Sequence, residues 1–271
     1  MRWASGTDMS EAPVHQLSRS QIYERALALR RSGGLFDPAN AELEDLFRGS
    51  IDRFCEIAER LRSCRRVLDV GAGHGMLLAL LHELGHECHA VDFDNQSERY
   101  PAVYRERRIP FQPCNVEVDP LPFEDNSLDA VVCCQVLEHF THSHLHAVSE
   151  MHRVLRRGGV IEIDVPNVAS FRNRSRMLRG KNITYDYREH YLFAKPVFYK
   201  GYSFYPLRHN REFTRAELRL LLELCGFQEI DVRYLKSRRH REGFERLLSL
   251  GTAIRDAVPG LRKSLIAFAR K

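Results

Sequence analysis

Apolar residues along this chain keep two rhythms in turn. Ile22, Ala26 and Leu29 recur at helical spacing within Ser20–Arg31, and Ser32, Gly33 and Gly34 stop that helix. Leu43, Leu46, Phe47, Ile51, Phe54, Ile57, Ala58 and Leu61 share one face of a second helical stretch, from about Ala39 to Leu61. Beyond it, short continuous apolar runs alternate with helical patterns. Arg66–Val70, His86–Asp92, Ile109–Cys114, Leu128–Cys134, Gly159–Val165, Phe227–Leu235 and Leu265–Ala269 read as strands. Met76–Leu84, Ser143–Arg156 and Thr214–Leu224 read as helices. Gly85 stops the first of these and Gly158-Gly159 the second, while Thr214 and Gly226 are placed to cap the third. Strand–helix alternation demands crossovers, which make neighbouring strands parallel. A parallel strand covered on both faces needs a run such as LDAVVCC at Leu128–Cys134. The pattern predicts an α/β fold with a doubly wound, seven-stranded, mostly parallel sheet and an N-terminal helical cap.

Arg172–Asn210 interrupts this rhythm. It is rich in Tyr, Phe, Arg and His, has no clear period, and follows the fifth strand. It reads as an insertion lying over one end of the sheet. The chain then divides into a lead-in and helical cap (1–61), a ligand-binding core (62–170), a lid insertion (171–210) and the remainder of the core (211–271). Met1–Gln16 is polar and patternless and reads as an unstructured lead-in.

Composition changes this picture little. The 271 residues are 44% hydrophobic and 28% charged, within the ordinary range of globular proteins. The net charge of +5 is compatible with an acidic substrate or an anionic surface and does not by itself indicate nucleic acid. Seven cysteines, an odd number without C-x-x-C spacing, sit largely in apolar runs. They read as reduced buried thiols, and with no apolar run of signal-peptide or membrane-spanning length they predict a cytoplasmic protein.

Chemistry concentrates where the first strand ends. VLDVGAGHG runs from strand through loop into helix, and Gly71 and Gly73 permit backbone angles and ligand approach that side chains would deny. The next helix offers free N–H groups at its start. Asp92 closes the second strand seventeen residues after Gly75, placed to accept the ribose hydroxyls of an adenosine-type ligand. The dinucleotide fingerprint G-x-G-x-x-G fits imperfectly, because Met76 occupies its third glycine position. That disfavours a nicotinamide-linked dehydrogenase.

VLDVGAGHG, the acidic end of AVDFD, PLPFEDNSLDAVVCCQVLEH and MHRVLRRGGVIEIDVPN together resemble the successive motifs of class I S-adenosylmethionine-dependent methyltransferases. The likeness is greatest to the ubiquinone-biosynthesis-like group (methyltransferase types 11, 12 and 23). It is strong over Arg66–Asn167 and weaker through HNREFTRAELRLLLELCGF and SLIAFARK. The resemblance implies a Rossmann-like methyltransferase fold, S-adenosylmethionine as cofactor and S-adenosylhomocysteine as product. It implies that Asp69, Gly71, Ala72 and Gly73 cradle the amino-acid part of the cofactor. Asp92 would hold the ribose and Phe93 would lie beside the adenine. Asn115 and Val116 would read the adenine, though the family more often has Asp at the position of Asn115. Gln135 follows the fourth strand, where the methyl group is presented.

Methyl transfer is an in-line displacement that needs alignment of nucleophile and methyl above all. An alcohol nucleophile also needs a general base, and His139, beside Glu138 just past the fourth strand, is the candidate. The same dipeptide could instead only shape the loop. Some relatives with E-x-x-E-H here are thought to hold a divalent metal; Gln135 replaces the first Glu, so no metal is expected. His142, His144, His146 and His152 read as a solvated helix face rather than a metal site.

In the insertion, Arg172, His190 and Tyr191 could contact an anionic or sugar-bearing acceptor, since guanidinium groups fork onto phosphate or carboxylate and aromatics stack on rings. They could equally form the lid's own small core and solvated face. His209 opens HNREFT, which resembles a segment of methyltransferases from surface-polysaccharide and secondary-metabolite pathways. The expected reaction is methylation of a hydroxyl or amine of a small molecule. A tRNA or other nucleic-acid methyltransferase is the rival that the basic runs suggest. Neither an Asn/Asp-Pro-Pro-aromatic motif nor a Pro-Cys loop is present to support it. A cofactor-binding regulator without turnover is the second rival. The basic run Lys236–Arg241 reads as a solvated helix start, and a homodimer is compatible with the sequence.

Overall fold

The computed structural model describes residues 17–37, 39–184, 186–236 and 257–271. The expected lead-in at Met1–Gln16 and nearly all of the basic run Lys236–Arg241 lie outside these residues. Two helices open the described chain, α1 (Arg19–Arg31) and α2 (Ala41–Arg60). Ser18 and Gln21 form a capping box on α1, and the Asn40 side chain caps α2. The apolar stripe of α2 buries Phe47, Ile51, Phe54 and Ile57 in one cluster with α3 (Met76–Glu83). Each such side chain contributes roughly 1.5–3 kcal/mol by leaving water.

The strands are β1 (Arg66–Val70), β2 (Glu87–Asp92), β3 (Phe111–Pro113), β4 (Leu128–Cys134), β5 (Leu155–Pro166), β8 (Gln228–Tyr234) and β9 (Ser264–Arg270). They form one sheet in the order β3-β2-β1-β4-β5-β9-β8. β1, β2, β3, β4 and β5 are mutually parallel, while β9 runs antiparallel to both β5 and β8. The order reverses at β1 and β4, so the crevice at their carboxyl ends is the topological switch point where such sheets bind ligands. β4 is buried along nearly its whole length, as its unbroken apolar run requires. Two apolar clusters cover the two faces of the sheet.

The remaining helices are α4 (Pro101–Tyr104), α5 (His144–Val154), α6 (Phe171–Leu178) and α7 (Arg215–Leu224). Thr214 caps α7 in a capping box with Glu217. Several expectations shift. The helix expected to end at Arg156 stops at Val154, because Leu155 turns extended and pairs with Leu128. Gly158 and Gly159 therefore lie inside β5 instead of closing a helix. The third strand shrinks to three residues at the sheet edge. The insertion holds α6 and a hairpin of β6 (Val197–Tyr199) and β7 (Tyr202–Phe204), none of which the pattern disclosed. All seven cysteines are unpaired. Burial pushes the Cys55 thiol up to about 12 and those of Cys64 and Cys114 to about 11, so they are inert. Among the described residues no helix is long and apolar enough to cross a membrane.

Candidate active site

The loop after β1 has two sterically strict glycines. Gly71 takes φ +76°, and a Cβ there would meet Val136 at 2.3 Å. Gly75, which starts α3 at φ +68°, would bring a Cβ to 2.6 Å from Val103. The third glycine thus serves packing on α4, in a place where the dinucleotide fingerprint has none. Between them, the Gly73 N–H donates to Asp92 Oδ2 at 2.8 Å, which fixes the loop against the end of β2. Burial pushes the Asp92 carboxyl upward, while this and other backbone N–H donors pull it down.

Two cavities open at this edge. The smaller, about 210 Å³, is lined by Asp92, Phe93, Asn115, Val116, Phe204 and Pro206, among others. Phe93 and Phe204 face each other at 6.2 Å between ring centres, so β7 forms part of its wall. The larger, about 700 Å³, is lined by Asp45, Ser50 and Arg53 of α2, by Asp69, Glu138 and His209, and by Arg262, Lys263 and Ser264 before and at the start of β9. Three residues line both cavities: Gly71, Gln135 and His139.

The junction residues are held firmly. Gln135 follows β4 with φ +56°, a left-handed conformation costly for a side-chain-bearing residue. Its N–H donates to the Asp164 carbonyl at 2.9 Å and its side-chain amide to the Asp164 carboxylate. Arg53 reaches Asp164 from α2 at 2.9 Å, tying the helical cap to the sheet. Burial alone would lower the Arg53 pKa, but Asp164, together with Cys134 and Glu162, more than offsets it.

His139 sits in a short 3-10 turn, Leu137–His139. Its Nδ1 lies 3.2 Å from the Arg208 carbonyl. A carbonyl only accepts, so Nδ1 carries the proton and Nε2 keeps its lone pair. Burial first and His209 second push His139 down to about 4, so it is neutral at pH 7. The His209 ring stands edge-on at 4.9 Å. Glu138 is fully buried, and its carboxyl oxygens have no hydrogen-bond partner among the described residues. Burial pushes it up to about 8, which keeps it protonated at neutral pH. Its backbone carbonyl accepts from the N–H of Asn210 at 2.7 Å, drawing HNREFT to the site.

Opposite preferences meet in the larger cavity. Asp69 keeps one buried oxygen, and Arg53 its buried Nε, without a hydrogen-bond partner among the described residues. Burial, then the neighbouring Asp92, pushes the Asp69 carboxyl up to about 8. A bound ammonium would relieve Asp69 and a bound carboxylate would satisfy Arg53, so the pair suits an amino-acid zwitterion. The smaller cavity, with a carboxylate at one end and aromatic walls, suits a nucleoside. The residues present therefore fit S-adenosylmethionine. Glu138, His139 and His209 also bring one donor atom each within 4.8 Å of one another, a set that could accept a divalent cation.

The structure gathers the residues that the motifs pointed to: Asp69, Gly71, Ala72, Gly73, Asp92, Phe93, Asn115, Val116, Gln135, Glu138, His139 and His209 all line one or both cavities. Three acceptor candidates do not. Arg172 is exposed on α6, His190 stands beside Glu189, and Tyr191 donates its hydroxyl to the His209 carbonyl from behind. The helix histidines are also not a uniformly solvated face. His144 is half-buried, bonds to the Leu137 carbonyl and stacks on Phe140, while His142 pairs with Glu117. Arg53 and the segment Arg262–Ser264 escaped the sequence reading. Arg53 lies between two core positions of α2, Ile51 and Phe54, and only that placement hinted at it. A further contact draws the insertion inward: Lys200 Nζ and the Tyr199 hydroxyl donate to Asp119, each at 2.6 Å. Asp119 also accepts the Asn115 N–H at 3.2 Å.

Residues 68–163 match the family described as Methyltransferase domain. A probable S-adenosylmethionine-dependent methyltransferase of Mycolicibacterium smegmatis is 30% identical over 211 residues, covering 75% of this chain and 67% of that protein. One from Mycobacterium tuberculosis is 33% identical over 114 residues, 40% of this chain and 38% of that one. Among solved structures, the 1,6-didemethyltoxoflavin-N1-methyltransferase of Burkholderia thailandensis, bound to 1,6-didemethyltoxoflavin and S-adenosylhomocysteine, superposes with a TM-score of 0.53. It is 21% identical, with 98% of this chain and 93% of that one covered, a likeness of fold.

Proposed function

This chain belongs to the class I S-adenosylmethionine-dependent methyltransferases, and from that premise we propose that it methylates a hydroxyl or amine of a small acceptor lodged in the larger cavity. The observation that carries this reading is the junction: the two cavities meet at Gly71, Gln135 and His139. When bound, the cofactor supplies a methyl group made electrophilic by a cationic sulfur. Asp92 would hold the ribose, Asn115, Val116 and Phe93 the adenine, and Asp69 and Arg53 the ammonium and carboxylate. Gln135 is held by Asp164 at the junction, where the two partners must be aligned.

The acceptor occupies the part of the larger cavity between α2 and the start of β9. Arg262 and Lys263 there favour an acceptor carrying an acidic or sugar group. Neutral His139 accepts a hydrogen bond from the acceptor hydroxyl at Nε2 and takes up the proton it releases. Glu138, protonated and buried, adds no negative charge that would hold this imidazole in its cationic form. The insertion covers the adenosine half through Phe204 and Pro206, so we assign it to the cofactor rather than to the acceptor. A methyl-release assay over sugar phosphates, hydroxy acids, phenols, amines and tRNA tests the reading. Turnover on acidic hydroxyl compounds is expected, and turnover on tRNA alone would overturn it.

A further inference from the structure

Helix α6 is inside out. A surface helix normally buries its apolar stripe and shows its polar face, as α7 does with Leu218 and Leu222. In α6 the one buried residue is Asn173, at 2% exposure. Its amide donates to the carbonyls of Asn167 and Val168 and to Glu212, so a polar side chain anchors the helix to the fold. Phe171 and Leu178 stand two turns apart on the opposite face, 46% and 89% exposed, while Met177, one turn on from Asn173, is 65% exposed.

Cations surround this stripe. The segment Phe171–Lys181 carries four arginines and a lysine and no Asp or Glu. Arg174 and Arg179 are exposed, and their Nε atoms bond only to the backbone carbonyls of Ala169 and Ser175. None of the five cations pairs with a carboxylate among the described residues. Among the described residues this charge is not neutralised.

We propose that α6 is a docking face for an anionic membrane surface, with Phe171 and Leu178 dipping among the lipids and the flanking arginines held at the headgroups. An apolar stripe bordered by cations is the pattern of a helix lying in a membrane interface, and the arginine stems bury their methylenes while their charge stays with phosphate. Two other occupants fit worse. A second copy related by a two-fold axis would set this cation-rich face against itself. Nucleic acid would meet the arginines but leave bare aliphatic side chains such as Leu178 and Met177 without a role.

The proposal is independent of the acceptor, since α6 lines neither cavity. Its test is sedimentation of the full chain with vesicles of phosphatidylglycerol and phosphatidylcholine, against vesicles of phosphatidylcholine alone. Binding is expected to the anionic vesicles only, and to fall as salt is raised. The Leu178→Gln variant and the double variant Arg174→Glu, Arg179→Glu should each weaken it, the double variant by more than roughly tenfold. Calorimetric affinity for S-adenosylmethionine should be unchanged in both, which separates lost docking from misfolding. Absence of binding to anionic vesicles overturns the proposal, as does binding that neither variant alters. Retention on RNA without retention on vesicles assigns the face to nucleic acid instead. A dimer dispersed by Leu178→Gln, with no vesicle binding, assigns it to a second copy.

Discussion

The two cavities are built on opposite plans. The smaller takes most of its wall from the ends of four adjacent strands and the short loops that follow them: Gly71 after β1, Asp92 and Phe93 at β2, Asn115 after β3 and Gln135 after β4. The larger takes residues from α2, the glycine loop, the turn after β4, His209 and the start of β9, segments spread from Asp45 to Ser264. A wall made of strand ends is inherited from the sheet. A wall made of distant segments exists only once the cap and the C-terminal strand have packed. The first plan suits a ligand common to a whole family, and the second suits one particular to this chain.

Replacing His139, at the junction, should separate the two cavities most sharply. His139→Ala is expected to lower turnover by roughly 10²–10⁴-fold while cofactor affinity stays within a few-fold, read by kcat against calorimetric Kd. Unchanged turnover would leave His139 a structural residue. Asp92→Ala strikes the wall of the smaller cavity directly. It should weaken cofactor binding by about 100-fold, the order expected for losing charge-assisted hydrogen bonds, while kcat at saturating cofactor changes much less.

Acid–base behaviour distinguishes the floor of the larger cavity. Glu138 is pushed up to about 8 in the fold, so the native state keeps a proton that the unfolded chain releases near its ordinary value. Stability from this group is therefore present at low pH and is lost as pH rises toward about 8. The slope is at most about 1.4 kcal/mol per pH unit. Glu138→Gln should flatten that decline in a series of thermal melts without cofactor. His139, pushed down to about 4, acts in the opposite sense and makes the fold more stable as pH rises from about 4 toward its ordinary value. Activity should accordingly rise with pH near 4 and not change again through this group.

The smallest effect is expected at the clasp over the smaller cavity. Lys200 and Tyr199 hydrogen bonds hold the Asp119 carboxyl down although burial would lift it. Asp119 in turn supports the Asn115 N–H. Because Lys200 is exposed, Lys200→Met should weaken cofactor binding by only about two- to threefold, and less at high salt. A larger loss in the acceptor KM than in the cofactor Kd would move the insertion to the other cavity.

Much of this was legible in residue order. LDAVVCC announced a strand buried on both faces, and β4 lies between β1 and β5. VLDVGAGHG followed by Asp92 announced the loop and its acidic partner, and Gly73 bonds to that carboxylate. These features are local, because a strand end and the turn after it are set by near neighbours. The insertion was open to two readings, acceptor contact or a small lid core, and its Phe204 and Pro206 line the smaller cavity. Its hairpin pairs only three residues a side, too few for alternation to show, and its aromatic residues look the same whether they face a nucleoside or a solvent-exposed acceptor site.

The sequence alone determined the parallel sheet, the glycine bend, the carboxylate at the end of β2 and the Glu138-His139 pair, since each follows from spacing within a short run. Tertiary structure alone decided that Arg53 would reach Asp164, that Arg262 and Lys263 would enclose the larger cavity, and that α6 would turn Asn173 inward and Leu178 outward. The physical reason is separation along the chain. Contacts such as Arg53–Asp164 and Asn173–Glu212 join residues dozens of positions apart or more, and their energy is gained only when packing has already brought them together.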